Sequence, residues 1–269
     1  MDRRFFLGIA VAVAVIFFAA AFAQSLMKGA AVPKDREILY QVSTIDALMQ
    51  GAFEGVETVA EIKKQGDFGI GTFDGLDGEM IVLDGKFYQA RADGAVYPAV
   101  DTATTPLATV TYFDRDLVVT TDRRMNYSEF SSLLSARLPT QNMIYAVRIH
   151  ATFPVMMVRA IPRQQKPYPT LVDAAKSQSV YTYINASGTV VGFYTPVFIK
   201  GLNVPGYHLH FISDDRRTGG HILDMIIGEN TTVEYDVTSG FAMSLPTSGA
   251  FTGVDLSQDL SADLAKVER

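Results

Sequence analysis

The sequence lacks cysteine altogether, and only four of its 269 residues are histidines. Without cysteine the chain has no disulfide and no site for lipid attachment, so outside the cytoplasm its stability must come from a hydrophobic core or a bound metal. Basic residues are also scarce: the net charge is −6, and no run rich in lysine or arginine follows Arg4. Such a surface is a poor match for phosphate groups, so we predict no nucleic-acid partner.

The first residues have the composition of an export signal. The stretch MDRRFFLGIAVAVAVIFFAAAFAQ begins with two arginines, continues with an unbroken apolar run and ends with an A-x-A cleavage pattern. We predict a signal peptide over residues 1–23, cleavage after Ala23, and an exported protein, periplasmic or secreted, that does not contact the membrane afterwards. The run from Phe5 to Ala23 is also long enough to span a bilayer, so an N-terminal membrane anchor is the alternative.

The remaining chain alternates between apolar and polar residues more often than it shows helical periodicity. Asp84-Gly85 and Asp93-Gly94 are hairpin signals between β-prone runs. Helical patterns occupy Thr44 to Gly55, Thr58 to Gly66 and Asn126 to Pro139, each beginning at a residue that can cap a helix. We therefore predict an α+β, β-rich fold with a few short helices.

A polar, proline-rich segment, PRQQKPYPTL (Pro162 to Leu171), is the best candidate for a domain boundary. We predict two domains with mixed or antiparallel sheets. The N-terminal β-rich domain with helices covers residues 33–165. The C-terminal β domain covers residues 166–269, contains a metal site on a hairpin, and ends in a tail that folds back.

Three of the four histidines lie close together near the C-terminus. In a strand, His208 and His210 point to the same face. A polar turn with two glycines, Asp214 to Gly220, would bring His221 onto the neighbouring strand beside them. Three histidines with an open position suit a catalytic Zn²⁺ site, although the spacing alone leaves Fe²⁺, Mn²⁺ and Ni²⁺ open. A satisfied histidine in a core or on a surface is the alternative for each residue.

Three longer motifs occur in the order GTFDGLDGEMIVLDGKFYQ (Gly71 to Gln89), VRAIPRQQKPYP (Val158 to Pro169) and VPGYHLHFISDDRRTGGHILD (Val204 to Asp224). Together they resemble the alpha-acetolactate decarboxylase family over nearly the whole mature chain. The resemblance implies a zinc enzyme that converts 2-acetolactate to acetoin and CO2, built from two β-rich domains and paired as a homodimer. It also implies that the three clustered histidines bind the zinc.

The resemblance assigns further residues to the site. It implies catalytic roles for Glu79 and Arg159, and it places Thr72 in the substrate pocket. A glutamate close to the C-terminus approaches the metal in this family, which points to Glu268, although the tail motif is short and Asp263 lies nearby.

The chemistry expected of such a site can be stated from the substrate. The ketone and hydroxyl oxygens of 2-acetolactate can chelate one zinc ion, which would stabilise the enediolate left when CO2 departs. Arg159 suits the departing carboxylate or the enediolate oxygens. A positioned acid must then protonate the enediolate, and we predict Glu79, with Glu268 or a metal-bound water as alternatives.

Other polar residues near these motifs receive structural predictions. His150 is predicted to have no metal role, although it shares a strand face with Arg148 and the two could line a pocket. Asp214 to Arg217 are predicted to form a solvated hairpin turn. Asp224 could accept a hydrogen bond from the His221 imidazole and orient it.

Two other classes of function remain open from the residues. One is a different three-histidine β-fold metalloenzyme, such as a cupin-like oxygenase or isomerase, which usually has a glutamate ligand soon after H-x-H. The sequence has no glutamate between His210 and His221. The other is a non-catalytic exported protein that binds metal, or a surface interaction module on a membrane anchor.

Overall fold

Strands are the main regular element of the chain, and nearly all of them belong to two large sheets. The computed structural model describes residues 36–268, so the signal peptide predicted over residues 1–23 lies outside the described residues. Within them, no helix is both long enough and apolar enough to cross a membrane.

The elements follow one another with short connections. The strands are β1 (Ile38–Val42), β2 (Glu57–Thr58), β3 (Phe68–Thr72), β4 (Glu79–Leu83), β5 (Lys86–Ala90), β6 (Val96–Pro98), β7 (Thr104–Thr105), β8 (Ala108–Thr111), β9 (Leu117–Thr120), β10 (Met125–Asn126), β11 (Ile144–Ala160), β12 (Ser179–Thr195), β13 (Gly206–Ser213), β14 (Gly219–Ile227), β15 (Thr232–Thr238) and β16 (Gly240–Ser244). The α-helices are α1 (Ile45–Met49), α2 (Val59–Ile62), α3 (Tyr127–Arg137), α4 (Leu171–Ala175) and α5 (Ser261–Val267). Three short 3-10 helices cover Asp74–Leu76, Val197–Ile199 and Gly249–Gly253.

The strands form two seven-stranded sheets and one small two-stranded sheet. The first sheet has the order β16-β1-β8-β3-β4-β5-β6, and its β1–β16 pair is parallel. The second sheet has the order β10-β14-β13-β12-β11-β15-β9 and is antiparallel throughout. The predicted α+β, β-rich fold with mixed and antiparallel sheets and a few short helices is confirmed.

Strands from both halves of the chain take part in both large sheets. The C-terminal strand β16 pairs with β1, and β9, β10 and β11 belong to the same sheet as the histidine strands. The described residues fall in a single compact unit. The predicted division into two domains, over residues 33–165 and 166–269, stays a prediction.

Part of the second sheet closes on itself. Strand β11 pairs with β12 along its whole length and with β14 near its C-terminal end, while β13 joins β12 to β14. These four strands therefore form a closed ring of hydrogen-bonded neighbours, whose interior is filled by large side chains such as Phe153 and Phe211. A closed ring has no free edge between its members, so it holds the histidine strands rigidly.

The two large sheets pack face to face. Ile70 and Ile81 of the first sheet share an apolar cluster with Val191, Phe193 and Ile212 of the second. Because Phe193 is paired with His208 and Val191 with His210, the histidine side chains point towards the first sheet. This packing places the site between the sheets.

The helices begin as their capping residues predict. The side chains of Thr44, Thr58 and Asn126 accept hydrogen bonds from the first turns of α1, α2 and α3, and the last two form reciprocal capping boxes with a glutamate three residues later. Helix α1 ends at Met49, earlier than the predicted Gly55, because the chain turns at Gly51 with φ of 89°.

Candidate metal centre

Three histidines converge because β13 and β14 pair in one particular register. His208 and His210 share a face of β13, and His210 lies directly opposite His221 on β14. One ligand nitrogen from each histidine lies within 4.8 Å of the others, so the group could hold a metal ion. The predicted turn from Asp214 to Arg217 joins the two strands on the exposed surface, so the hairpin is confirmed.

Arg159 continues the same row of paired residues. It lies on β11 directly opposite His221, so its guanidinium enters the site from the strand next to the histidines. Its side chain is 5% exposed. The register of β11 and β14 shifts by one residue beside this pair, and this β-bulge changes which side chains of β14 face the site.

One prediction for a supporting residue is wrong, although the bulge leaves Asp224 on the same face of β14 as His221. Asp224 lies beyond the shift, is exposed, and its Oδ1 accepts a hydrogen bond from the backbone N–H of Met225. Neither ring nitrogen of His221 has a hydrogen-bond partner. Asp224 therefore does not orient the His221 imidazole.

The β3–β4 hairpin of the first sheet supplies Thr72 and Glu79, which are paired directly opposite each other. The Glu79 carboxylate lies 3.7 Å from Nη1 of Arg159 and 3.8 Å from Nε2 of His210. The Thr72 hydroxyl donates a hydrogen bond of 2.7 Å to the carbonyl of Gly78. This hydroxyl can therefore only accept a further hydrogen bond from a bound molecule.

The C-terminal tail completes the group. Helix α5 buries Leu264 and Val267 against other helices, and Glu268 is its C-cap residue. One carboxylate oxygen of Glu268 lies 3.7 Å from Nε2 of His208 and 3.8 Å from Nε2 of His221. Asp263, the nearby alternative, is instead bonded to Lys266 on the surface.

Two backbone carbonyls position the site, and no sequence motif indicates either of them. The carbonyl of Met80 lies 2.9 Å from Nδ1 of His210, and that of Val267 accepts a hydrogen bond of 3.0 Å from Nη2 of Arg159. A carbonyl can only accept, so Nδ1 of His210 carries the proton and Nε2 presents a lone pair. Every residue has a carbonyl, so a sequence motif cannot mark these two.

The donor atoms fit a metal ion. Nε2 of His210 and both ring nitrogens of His221 are buried without a hydrogen-bond partner, which is costly unless a ligand satisfies them. Burial, with a smaller contribution from Arg159, lowers the pKa of His208 to about 3, and burial also holds the pKa values of His210 and His221 well below the usual range. Neutral imidazoles are the form that binds metals.

The two carboxyl groups have pKa values shifted in the opposite direction. Burial raises the pKa of Glu79 to about 7, although the nearby Arg159 opposes the shift. Burial likewise raises the pKa of Glu268 to about 7, again against the effect of Arg159. Without bound metal, both groups are therefore partly protonated near neutral pH.

These side chains enclose a small pocket with a volume of about 40 Å³. The sequence-predicted residues Thr72, Glu79, Arg159 and Glu268 line it together with the three histidines. The rest of the wall is mainly apolar, and its side chains come from several distant segments: Ile45, Leu48, Leu76, Leu107, Ile161 and Leu171. Their spacing marks them only as core residues, so sequence reasoning missed them.

The remaining candidates lie elsewhere. His150 is exposed and lies 3.0 Å from Asp214, outside the metal-binding group formed by the described residues, so its structural interpretation is supported. Arg148 lies 3.3 Å from Asp84 and 3.8 Å from Glu234. Neither residue lines the pocket.

Comparisons with known proteins agree with one another. A family model described as alpha-acetolactate decarboxylase matches residues 39–258. The chain is 51% identical over 233 residues to an alpha-acetolactate decarboxylase of Methanosarcina mazei, covering 87% of this chain and 81% of that protein. The crystal structure of alpha-acetolactate decarboxylase from Bacillus subtilis strain 168 superimposes with a TM-score of 0.82 at 37% identity, covering 86% of this chain and 98% of that one.

Proposed function

The chain belongs to the alpha-acetolactate decarboxylase family, and from this premise we propose that it converts 2-acetolactate to acetoin and CO2 at a zinc ion held by His208, His210 and His221. The chain is thus a decarboxylase, which argues against a cupin-like oxygenase and a non-catalytic metal carrier. The observation that carries the proposal is the group of converging ring nitrogens, several of them buried without partners.

Three neutral imidazoles in a pocket that also admits a substrate favour zinc among the available metals. When bound, zinc would supply Lewis-acid polarisation of the substrate's ketone and hydroxyl oxygens. The protein's own contribution is to present three lone pairs without competing protons, because burial keeps the pKa of each histidine low.

Arg159 orients the acidic end of the substrate. Its Nη2 is held by the Val267 carbonyl, whereas its Nε is buried and has no hydrogen-bond partner. This donor is directed to the substrate carboxylate, or to the oxygens on which negative charge develops as the C–C bond breaks. The neighbouring Glu79 keeps the guanidinium charge partly compensated before substrate arrives.

Glu79 is the better placed of the two carboxyl groups to deliver the proton. Glu268 approaches two of the histidines, His208 and His221, so its oxygen faces the metal position. Glu79 approaches only His210 among the histidines and lies beside Arg159, where the charge of the substrate collects. A protonated Glu79 can give its proton to the carbon that has lost CO2, and Thr72 can accept a hydrogen bond from the substrate hydroxyl.

Acetoin formation from racemic 2-acetolactate tests the proposal directly. The purified protein, loaded with zinc, should release CO2 and acetoin, and a chelator that removes the metal should stop both. Zinc added back should restore them, whereas magnesium should not, because hard oxygen-seeking cations bind imidazole poorly. A zinc-loaded protein that forms no acetoin would refute the assignment, and full activity without metal would refute the zinc mechanism.

Export and assembly complete the proposal. We propose that residues 1–23 are removed after Ala23 and that the exported chain pairs as a homodimer. N-terminal sequencing of the protein recovered outside the cytoplasm should begin at Gln24, and light scattering should give twice the mass of one chain. An intact N-terminus would contradict cleavage after Ala23. A monomeric mass would contradict the homodimer.

A further inference from the structure

A second and larger cavity lies beside the metal centre. Its volume is about 540 Å³, compared with about 40 Å³ for the inner pocket. Of the described residues, only Glu268 belongs to the walls of both. The two cavities therefore meet at the Glu268 side chain, at the end of α5.

His208 is the most exposed of the three histidines in the metal centre. The side chain of His208 is 15% exposed, whereas those of His210 and His221 are 1% and 2% exposed. The residues that precede His208 on β13, Gly206 and Tyr207, line the outer cavity. Glu268, which lines both cavities, lies 3.7 Å from Nε2 of His208 and so connects the outer cavity to the metal centre.

Most of the wall of the outer cavity is apolar, and α3 adds hydroxyl groups to it. One wall is the face of α3 that carries Ser131, Ser132 and Ser135, and the opposite wall includes Ala265 of α5. Hydroxyl groups can exchange hydrogen bonds with a ketone or an alcohol without the strong hold of a charged group.

Three charged residues line the outer cavity: Asp46, Lys200 and Glu268. Lys200 is the lysine of this wall, and its Nζ is bonded to Asp259 at 2.8 Å. The carboxylate of a passing substrate therefore meets no free cation there, and Arg159 in the inner pocket remains the stronger attraction.

We propose that the outer cavity is the entrance by which a small hydroxy keto acid reaches the metal centre and by which the neutral hydroxy ketone leaves. The identity of the substrate rests on the proposed function, whereas the route rests on the geometry of the two cavities. Residues of the entrance wall then control the rate of entry rather than the chemistry.

Filling the entrance tests the route. Ala265 and Ala262 are both exposed residues of α5, but only Ala265 lines the outer cavity. Ala265→Phe should lower kcat/KM by about tenfold while kcat at saturation changes much less, because entry is slowed and the reacting groups are untouched. Ala262→Phe, the matched control, should leave both constants unchanged.

The same effect should follow from the opposite wall. Ser132→Phe of α3 should act like Ala265→Phe, although it leaves α5 unaltered, and Ser128→Phe, outside the cavity, should not. In each variant the zinc content should stay at the wild-type level. If neither filling variant lowers kcat/KM more than its control, the entrance is elsewhere.

A second measurement does not depend on acetolactate. Pyridine-2,6-dicarboxylate is a small chelator that must also reach the zinc, so Ala265→Phe and Ser132→Phe should slow its withdrawal of the metal by about the same tenfold. Slower withdrawal in a protein that forms no acetoin would support the route and refute the proposed function. Unchanged withdrawal in both filling variants would refute the route.

Discussion

His210 has one ring nitrogen bound to the Met80 carbonyl and the other directed into the site without a partner, and both nitrogens of His221 also lack partners. Buried groups of this kind reduce stability unless a ligand occupies them. Glu79 and Glu268 add two carboxyl groups whose pKa values are raised to about 7, mainly by burial. At the residue scale, the centre is therefore built to bind a cation and to hold a proton close to it.

Removal of any one of the three histidines should release the metal. His208→Ala, His210→Ala and His221→Ala each leave two ligands, so zinc measured after dialysis should fall far below one ion per chain, and acetoin formation should be lost. His150→Ala is the control, since His150 is exposed and outside the group, and it should keep both. A ligand variant that retains stoichiometric zinc would remove that histidine from the set.

Glu79→Gln should separate metal binding from turnover. The amide keeps the size of the side chain but cannot donate the same proton, so kcat should fall by about 10²–10⁴-fold with zinc content unchanged. Glu229→Gln, at an exposed turn, serves as the control. If Glu79→Gln retains the wild-type kcat while Glu268→Gln loses it, the proton comes from the tail.

Asp236 provides a prediction about pH that is remote from the metal. Burial is the main cause that raises its pKa to about 7, with further contributions from Asp116, Glu37 and Asp114, while a hydrogen bond from the Asp114 N–H opposes the shift. Its Oδ1 has no partner. Because the folded-state pKa lies above the unfolded one, the stability that Asp236 contributes is present below about pH 4 and is lost as pH rises through 7.

Asp236→Asn should remove this loss. At pH 8 the variant should be more stable than wild type by about 2 kcal/mol, and at pH 4 the two should be nearly equal. Urea unfolding of both proteins at each pH measures the difference between their free energies of unfolding. An effect of bound metal is the same in the two proteins and cancels in this difference. A stability difference that is independent of pH would contradict the raised pKa.

At the scale of elements, the hairpin and the tail make different contributions. Strands β13 and β14 are fixed in the closed ring with β11 and β12, so the histidines have a rigid support. Helix α5 is short and buries only Leu264 and Val267, yet it delivers both Glu268 and the carbonyl that holds Arg159. Catalysis should consequently be more sensitive than metal binding to the packing of α5.

Leu264→Ala tests this dependence. Leu264 packs in the helical cluster with Leu48 and Val204, and its loss should lower the free energy of unfolding by about 2–4 kcal/mol. Turnover should fall while zinc content remains near wild type. Leu256→Ala, at a half-exposed site in the same segment, should leave turnover and zinc content unchanged. Equal loss of zinc and turnover would show that α5 also secures the ligands.

At the scale of the whole molecule, the site exists because two sheets pack against each other. The second sheet provides the histidines and Arg159, and the first provides Thr72, Glu79 and the Met80 carbonyl. Large apolar clusters pack within each sheet and between the two sheets. The metal should thus stabilise the fold without being required for it.

Metal removal tests this expectation. The chelated protein should keep the β-sheet circular dichroism spectrum of the loaded protein but unfold at a lower temperature. Zinc at one hundred times its Kd should raise the free energy of unfolding by about 2.7 kcal/mol. Loss of the spectrum on chelation would instead make the zinc a structural requirement.

Much of the fold and site could be predicted from local patterns. Alternation along β13 and the glycine-bearing turn before His221 predict the histidine group, because both follow from the two-residue period of a strand. The caps Thr44, Thr58 and Asn126 predict where helices begin. The exposure of Asp224 and the hydrogen bond that its carboxylate accepts from the Met225 N–H could not be foreseen, so its predicted contact with His221 is wrong.

Sequence motifs identify the family, the group of three histidines, and the candidates Thr72, Glu79, Arg159 and Glu268. The packing of the sheets and the tail adds that the two glutamates approach different histidines, that two carbonyls hold His210 and Arg159, and that a separate cavity opens at Glu268. The reason is physical. Motifs record which side chains are present and how local periodicity directs them, whereas these distances arise when apolar faces from distant segments pack together.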